Sequence, residues 1–158
     1  MCARLKLTPR VDMKTAPEVG LRGHAAISLD GKHFEQMRWG FKLPNGTEFF
    51  WARSEGMFQG MFRYQAMHHR GVVFIDGWWE KGQFIDVAKG TAAAVLWHQW
   101  HGAPERSFVL VTCEPWSKAL ANVHHRMPAI VQPDVWLAEE TARLRRGQTL
   151  SVPARVQN

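Results

Sequence analysis

Short runs in which apolar and polar residues alternate, set off by turn residues, recur along much of this chain. Gly23 to Leu29 reads as a strand, Asp30-Gly31 as a hairpin turn, and His33 to Trp39 as the returning strand. Gly40-Phe41-Lys42-Leu43-Pro44 follows, with a second turn at Asn45-Gly46. The pattern then changes. Ser54 to His69 carries Met57, Phe58, Met61, Phe62 and Gln65-Ala66, a spacing that predicts one helix face, closed by Gly71 as a C-cap. Val72 to Ile75 is a continuous apolar strand, with Gln83 to Val87 as its hairpin partner across Glu80-Lys81-Gly82. Ala92 to Trp97 and Ser107 to Thr112 are two further strands, and Pro115 to Ala121 a short helix. A last helix is expected from Asp134, its N-cap, to Arg146, with Gly147 after it, an apolar stripe of Trp136, Leu137 and Leu144, and a Glu139–Arg143 pair. Strands dominate and helices are inserted between them. This predicts an α+β fold of mainly antiparallel strands around a barrel-like core, with peripheral short helices. There is no internal repeat, low-complexity tract or long linker, so residues 1–158 are expected to form a single domain.

Composition supports a globular chain: 46% of residues are hydrophobic and 22% charged. No apolar run approaches the roughly 20 residues that span a bilayer. Met1-Cys2-Ala3-Arg4-Leu5-Lys6 has no apolar stretch behind its basic residues and does not read as a secretion signal. The expectation is a cytoplasmic or nucleoid-associated protein, monomeric and away from membranes. A net charge of +6 favours a polyanion partner, nucleic acid first. Eight tryptophans suit base stacking in a single-strand site, or else a core rich in indoles.

Two distant cysteines do not make a disulfide framework. Cys113 follows Phe108-Val109-Leu110-Val111 and reads as a buried thiol. Cys2 stands where packing rarely needs a thiol. Removal of Met1 exposes a residue with an α-amine and a thiol together. An α-amine titrates near 7.7–8.0, so part of it is free base at pH 7 and condenses with aldehydes. The thiol can then close on the same carbon as a five-membered thiazolidine. Position alone leaves open an incidental cysteine at the start site.

Glu80 in Asp76-Gly77-Trp78-Trp79-Glu80-Lys81 is either a proton shuttle in an apolar setting or a solvated hairpin carboxylate, and spacing alone favours the latter. His124-His125-Arg126-Met127-Pro128 joins a general acid/base candidate to an arginine suited to phosphate. Six histidines (His68, His69, His98, His101, His124 and His125) lack any Cys-x-x-Cys or His-Glu-x-x-His companion, so neither a metal nor another cofactor is expected.

An ordered series of motifs resembles the SOS response-associated peptidase (SRAP) family. It runs Met1-Cys2-x-Arg4, Trp39-Gly40-Phe41-x-x-Pro44, Ala52-Arg53-Ser54-Glu55, Asp76-Gly77-Trp78-Trp79-Glu80, Leu96-Trp97-x-x-Trp100, Phe108-Val109-Leu110-Val111-Thr112 and Ala121-Asn122-x-His124-x-Arg126-Met127-Pro128-Ala129-Ile130. The resemblance implies a barrel-like fold and covalent capture of abasic sites in single-stranded DNA by Cys2, within the DNA damage response. It assigns Cys2, Glu80 and His124 as catalytic and Arg4, Arg53 and Arg126 as holding DNA phosphates; Trp39 is added as a DNA-binding residue. It also implies an abasic-site lyase side reaction and self-removal of Met1. The alternatives are a non-covalent single-stranded DNA-binding module and a thiol autopeptidase. Departures from the family pattern are Ala3 for glycine, Trp51 for the asparagine before Ala52-Arg53, Lys81 for tryptophan, and a short stretch between Cys2 and Trp39. They bear on rate more than on fold, as in a diverged or phage-like member. An indole at position 51 is expected to exchange polar stabilisation of the linkage for base stacking or core packing.

Overall fold

The longest ladder of the fold joins β8 (Arg70–Glu80) to β9 (Gln83–His98) through the tight turn at Lys81-Gly82. Both turn residues have positive φ, 48° and 76°, the signature of a two-residue hairpin. The computed structural model describes residues 1–10 and 17–138. Before this hairpin come β1 (Arg4–Leu7), β2 (Glu18–Gly20), β3 (His24–Ser28), β4 (Phe34–Trp39), β5 (Phe41–Lys42), β6 (Glu48–Phe49), β7 (Trp51–Arg53) and α1 (Arg63–His68). After it come β10 (Ser107–Cys113), α2 (Lys118–Val123), β11 (Met127–Pro128) and α3 (Pro133–Ala138).

The sheet closes on itself. Following the ladders, β10 pairs β4, β4 pairs β3, β3 pairs β8, β8 pairs β9, and β9 returns to β10. Among the described residues this is a five-stranded barrel core with three short helices around it, an α+β barrel-like fold as expected. β1 and β2 extend it from the outer edge of β8, while β7 and β11 add to β10. Most pairings are antiparallel; β10 runs parallel to β4 and to β7. The interior is apolar, with Trp39, Trp78, Trp136, Phe41 and Phe108 among its fully buried side chains. Trp136 ties α3 to the barrel: its indole N–H donates to the Gly71 carbonyl at 2.9 Å.

Several local expectations change. The helix expected over 54–69 exists only as Arg63–His68, because Gly56 and Gly60 break the segment into turns, although Met57 and Phe58 are still buried. Gly71 lies within β8 and not at a cap; a Cβ there would meet the Ile27 side chain at 3.1 Å and the Ser28 carbonyl at 3.2 Å. The runs 83–87 and 92–97 are one continuous strand. The helix expected from Pro115 begins at Lys118, capped by the Ser117 hydroxyl, which accepts from the Leu120 N–H at 3.2 Å. Asp134 lies in the first turn of α3, behind Pro133. The rest of the last helix, with Glu139, Arg143, Leu144, Arg146 and Gly147, lies outside the described residues.

Candidate active site

Strand register brings the start of the chain to Glu80. β1 lies antiparallel to β8 with Arg4 opposite Trp79 and Leu5 opposite Trp78, so the residues before Arg4 run toward the hairpin end of β8. Alternation along β8 turns Trp78 and Glu80 inward and leaves Trp79 half-buried outside. Gly77 permits the close approach of β9 just before this point: a Cβ there would stand 2.4 Å from the Ile85 carbonyl and 2.5 Å from the Phe84 ring. A shift of register between Ile75 and Gly77 resets the pairing ahead of Trp78.

Glu80 is 4% exposed, so the solvated-hairpin reading gives way to a buried carboxylate. Its Oε1 lies 3.1 Å from the Met1 amine, and its Oε2 has no hydrogen-bond partner within the described residues. His124 closes the other side, with Nε2 3.0 Å from the same amine. It follows α2 as an extended C-cap residue, and its Nδ1 accepts from the Arg126 backbone N–H at 3.0 Å. That bond leaves the proton of a neutral imidazole on Nε2, facing the amine. The terminal amine thus lies between the His124 ring and the Glu80 carboxylate, which accepts from it. Burial, outweighing the neighbouring Glu80 charge, holds the His124 pKa below the ordinary histidine value.

Cys2 is 2% exposed. Its thiol donates to the Arg4 carbonyl at 3.6 Å. Burial above all pushes its pKa up to about 12, with the Glu80 charge adding and the Arg4 hydrogen bond and the terminal amine opposing. Trp51 makes a polar contact at the site: its indole N–H donates to the Cys2 carbonyl at 2.7 Å. Its place in Trp51-Ala52-Arg53, on the strand paired to β10, was the available signal; the contact itself spans 49 residues and has no local signature.

The other expected residues divide. Arg4 is exposed, its guanidinium 4.0 Å over the Trp79 ring and 3.9 Å from Glu18. Arg53 is exposed at the end of β7. Trp39, expected to meet DNA, is a core residue: it is fully buried, stacks on Phe108 at 6.0 Å and donates to the Phe50 carbonyl at 3.0 Å. Arg126 also departs from expectation. Its side chain is 1% exposed. Its guanidinium donates to both Glu55 oxygens at 2.9 Å and to the Thr112 carbonyl at 2.7 Å, with the Thr112 hydroxyl also in reach. This arrangement braces β10 and the His124 loop and leaves almost no guanidinium for a phosphate. The tryptophans are chiefly core or half-buried: none is among the exposed large hydrophobic residues. Among the described residues no group of three or more His, Cys, Asp or Glu could hold a metal ion. No helix among them is long and apolar enough to cross a membrane.

The barrel fold is shared with solved structures. A protein from Bordetella bronchiseptica superposes with a TM-score of 0.75 at 17% identity, covering 99% of this chain and 100% of that one. A Bacteroides thetaiotaomicron protein gives 0.72 at 17% identity, covering 92% and 85%. A phage-related protein from Bordetella bronchiseptica gives 0.69 at 18% identity, covering 92% and 86%. The chain belongs to the SOS response associated peptidase (SRAP) family, whose model matches residues 4–157. The family description links it to the SOS response and to peptidases. No curated protein matches the chain.

Proposed function

We propose that this chain, acting as one domain, captures abasic sites in single-stranded DNA through Cys2 once Met1 is removed. The observation that carries this reading is the terminal amine held between Glu80 and His124, with the Cys2 thiol buried beside it. With Met1 gone, Cys2 carries the terminal amine next to the position these two groups hold.

The chemistry follows from these groups. The abasic sugar opens to its aldehyde by moving one proton, for which the unpartnered Oε2 of Glu80 is an acceptor. The amine adds to the carbonyl and water leaves, giving a Schiff base. The thiol then adds across the C=N bond: a C–S bond forms and the thiol proton passes to nitrogen, closing the thiazolidine. A thiol with its pKa near 12 keeps this proton until it is needed. If ring closure fails, the Schiff base can eliminate the 3′ phosphate, with His124 beside the departing group. Arg4 and Arg53 are the exposed cations suited to the DNA backbone. The test is a denaturing gel of Met1-free protein with abasic single-stranded DNA. The reading expects a heat-stable adduct; binding without an adduct would return the chain to a non-covalent DNA-binding role.

A further inference from the structure

We infer that Trp51 is a positioning residue for Cys2, its indole N–H holding the Cys2 carbonyl so that amine and thiol face Glu80 and His124. The inference rests on the function proposed above and deepens it at the same site.

The N–H to carbonyl distance is 2.7 Å, and the indole is half-buried against the Phe50 ring at 5.7 Å. Its strand is rigid. β7 lies on β10 with Trp51 opposite Leu110, the Leu110 N–H donates to the Phe50 carbonyl at 2.9 Å, and the Ser54 N–H donates to the Thr112 carbonyl at 2.9 Å. Cys2 is packed by its side chain, but its backbone has no ladder of its own. The β1 ladder begins at Arg4, and the contacts of the chain end with Glu80 and His124 belong to the Met1 amine. They vanish with Met1. Besides the packing of its buried side chain, the hydrogen bonds that then hold Cys2 ahead of the ladder among the described residues are the Trp51 bond and the weak thiol contact to the Arg4 carbonyl. Unheld chain ends fray. Fixing the peptide plane after Cys2 leaves its ψ torsion to carry the amine onto Glu80 and His124, so the bond sets the starting geometry of the attack. Asparagine, the residue that the family resemblance implies at this position, also presents an N–H; the indole supplies that donor from a larger and stiffer side chain.

The experiment uses full-length, Met1-free protein with abasic single-stranded DNA in single-turnover mode. Trp51→Phe keeps the ring and removes the N–H; Trp51→Asn restores a donor. The expected result is about a tenfold slower adduct rate at saturating DNA for Trp51→Phe, the effect of one hydrogen bond, with the half-saturating DNA concentration unchanged. Trp51→Asn should regain most of the rate. A parent-like rate in Trp51→Phe, or a loss confined to DNA affinity or to melting temperature, overturns the inference. A parallel reaction with formaldehyde, read as thiazolidine at Cys2 by mass spectrometry, separates the two ideas. If the parent forms no DNA adduct, the proposed function fails; slower formaldehyde capture by Trp51→Phe then still upholds positioning, and equal capture overturns it. If Trp51→Phe does not fold, hydrogen exchange of the parent decides: the Trp51 indole N–H should exchange more slowly than that of half-buried Trp79. Equal or faster exchange overturns the inference.

Discussion

The two cysteines are alike by every local measure and differ in their company. Cys2 and Cys113 are both free and buried, and burial pushes their pKa values up to about 12 and about 11. Neither is the exposed, low-pKa thiolate usually associated with a reactive cysteine. Cys113 lies at the end of β10, opposite Met127, with the Arg126 charge near it. Cys2 lies next to the chain terminus, where Glu80 and His124 hold an amine. Under the proposed function, the contrast teaches that the buried Cys2 thiol gains its chemistry from the amine its own residue carries once Met1 is removed, not from its acidity.

The largest expected effect breaks the contrast outright. Cys2→Ala should abolish the heat-stable DNA adduct on a denaturing gel, whereas Cys113→Ala should leave its yield at the parent level. Reversed outcomes would move the chemistry to β10. Next, Glu80→Gln should slow adduct formation by about 100- to 10,000-fold, the range of a lost general acid or base, and His124→Ala should slow it by a route measurable in single-turnover rates. Parent-like rates in both variants would detach the amine-holding groups from the reaction.

Acid should sharpen the comparison further. His69, His98 and His124 are all held below the ordinary histidine value, with burial the leading cause for each. The unfolded chain therefore binds more protons in the window below the ordinary value of about 6.5, and stability rises with pH through that window. The melting temperature should fall as pH drops below that value. The adduct rate should fall in the same direction as His124 takes up its second proton on Nδ1, which removes the acceptor of the Arg126 backbone N–H. A rate that climbs as the pH is lowered from neutral would contradict the assigned state of His124. The smallest effect concerns the brace near Cys113. Arg126→Met strips a donor from the Thr112 carbonyl and should cost about 1–3 kcal/mol of stability in denaturant titrations. Salt dependence of single-strand binding should be nearly unchanged, because Arg126 is engaged inside the protein.

The strand-rich fold was legible because its hairpins are local. Asp30-Gly31 does separate β3 from β4, and Lys81-Gly82 does separate β8 from β9. Closure of the barrel was not legible, since β10 meets β4 and β7 in parallel across long stretches of chain. At the site, spacing made Glu80 look solvated beside its turn; the inward phase of β8 buries it with Trp78. Arg126 looked like a phosphate ligand in a cluster of polar residues, but its partner Glu55 lies 71 residues away. Trp39 carried no mark to separate a base-stacking indole from a core one. The placement of Cys2 beside Glu80 depends on the β1–β8 register, and only the motif resemblance anticipated it.

The most direct test of the account is intact mass spectrometry on two homogeneous forms of the protein, with and without Met1, each incubated with abasic single-stranded DNA. The account predicts an adduct on the Met1-free form, at the summed mass of protein and DNA less one water, with the linkage mapped to Cys2. An equal yield on the Met1-bearing form, or a linkage mapped to any other residue, would contradict it.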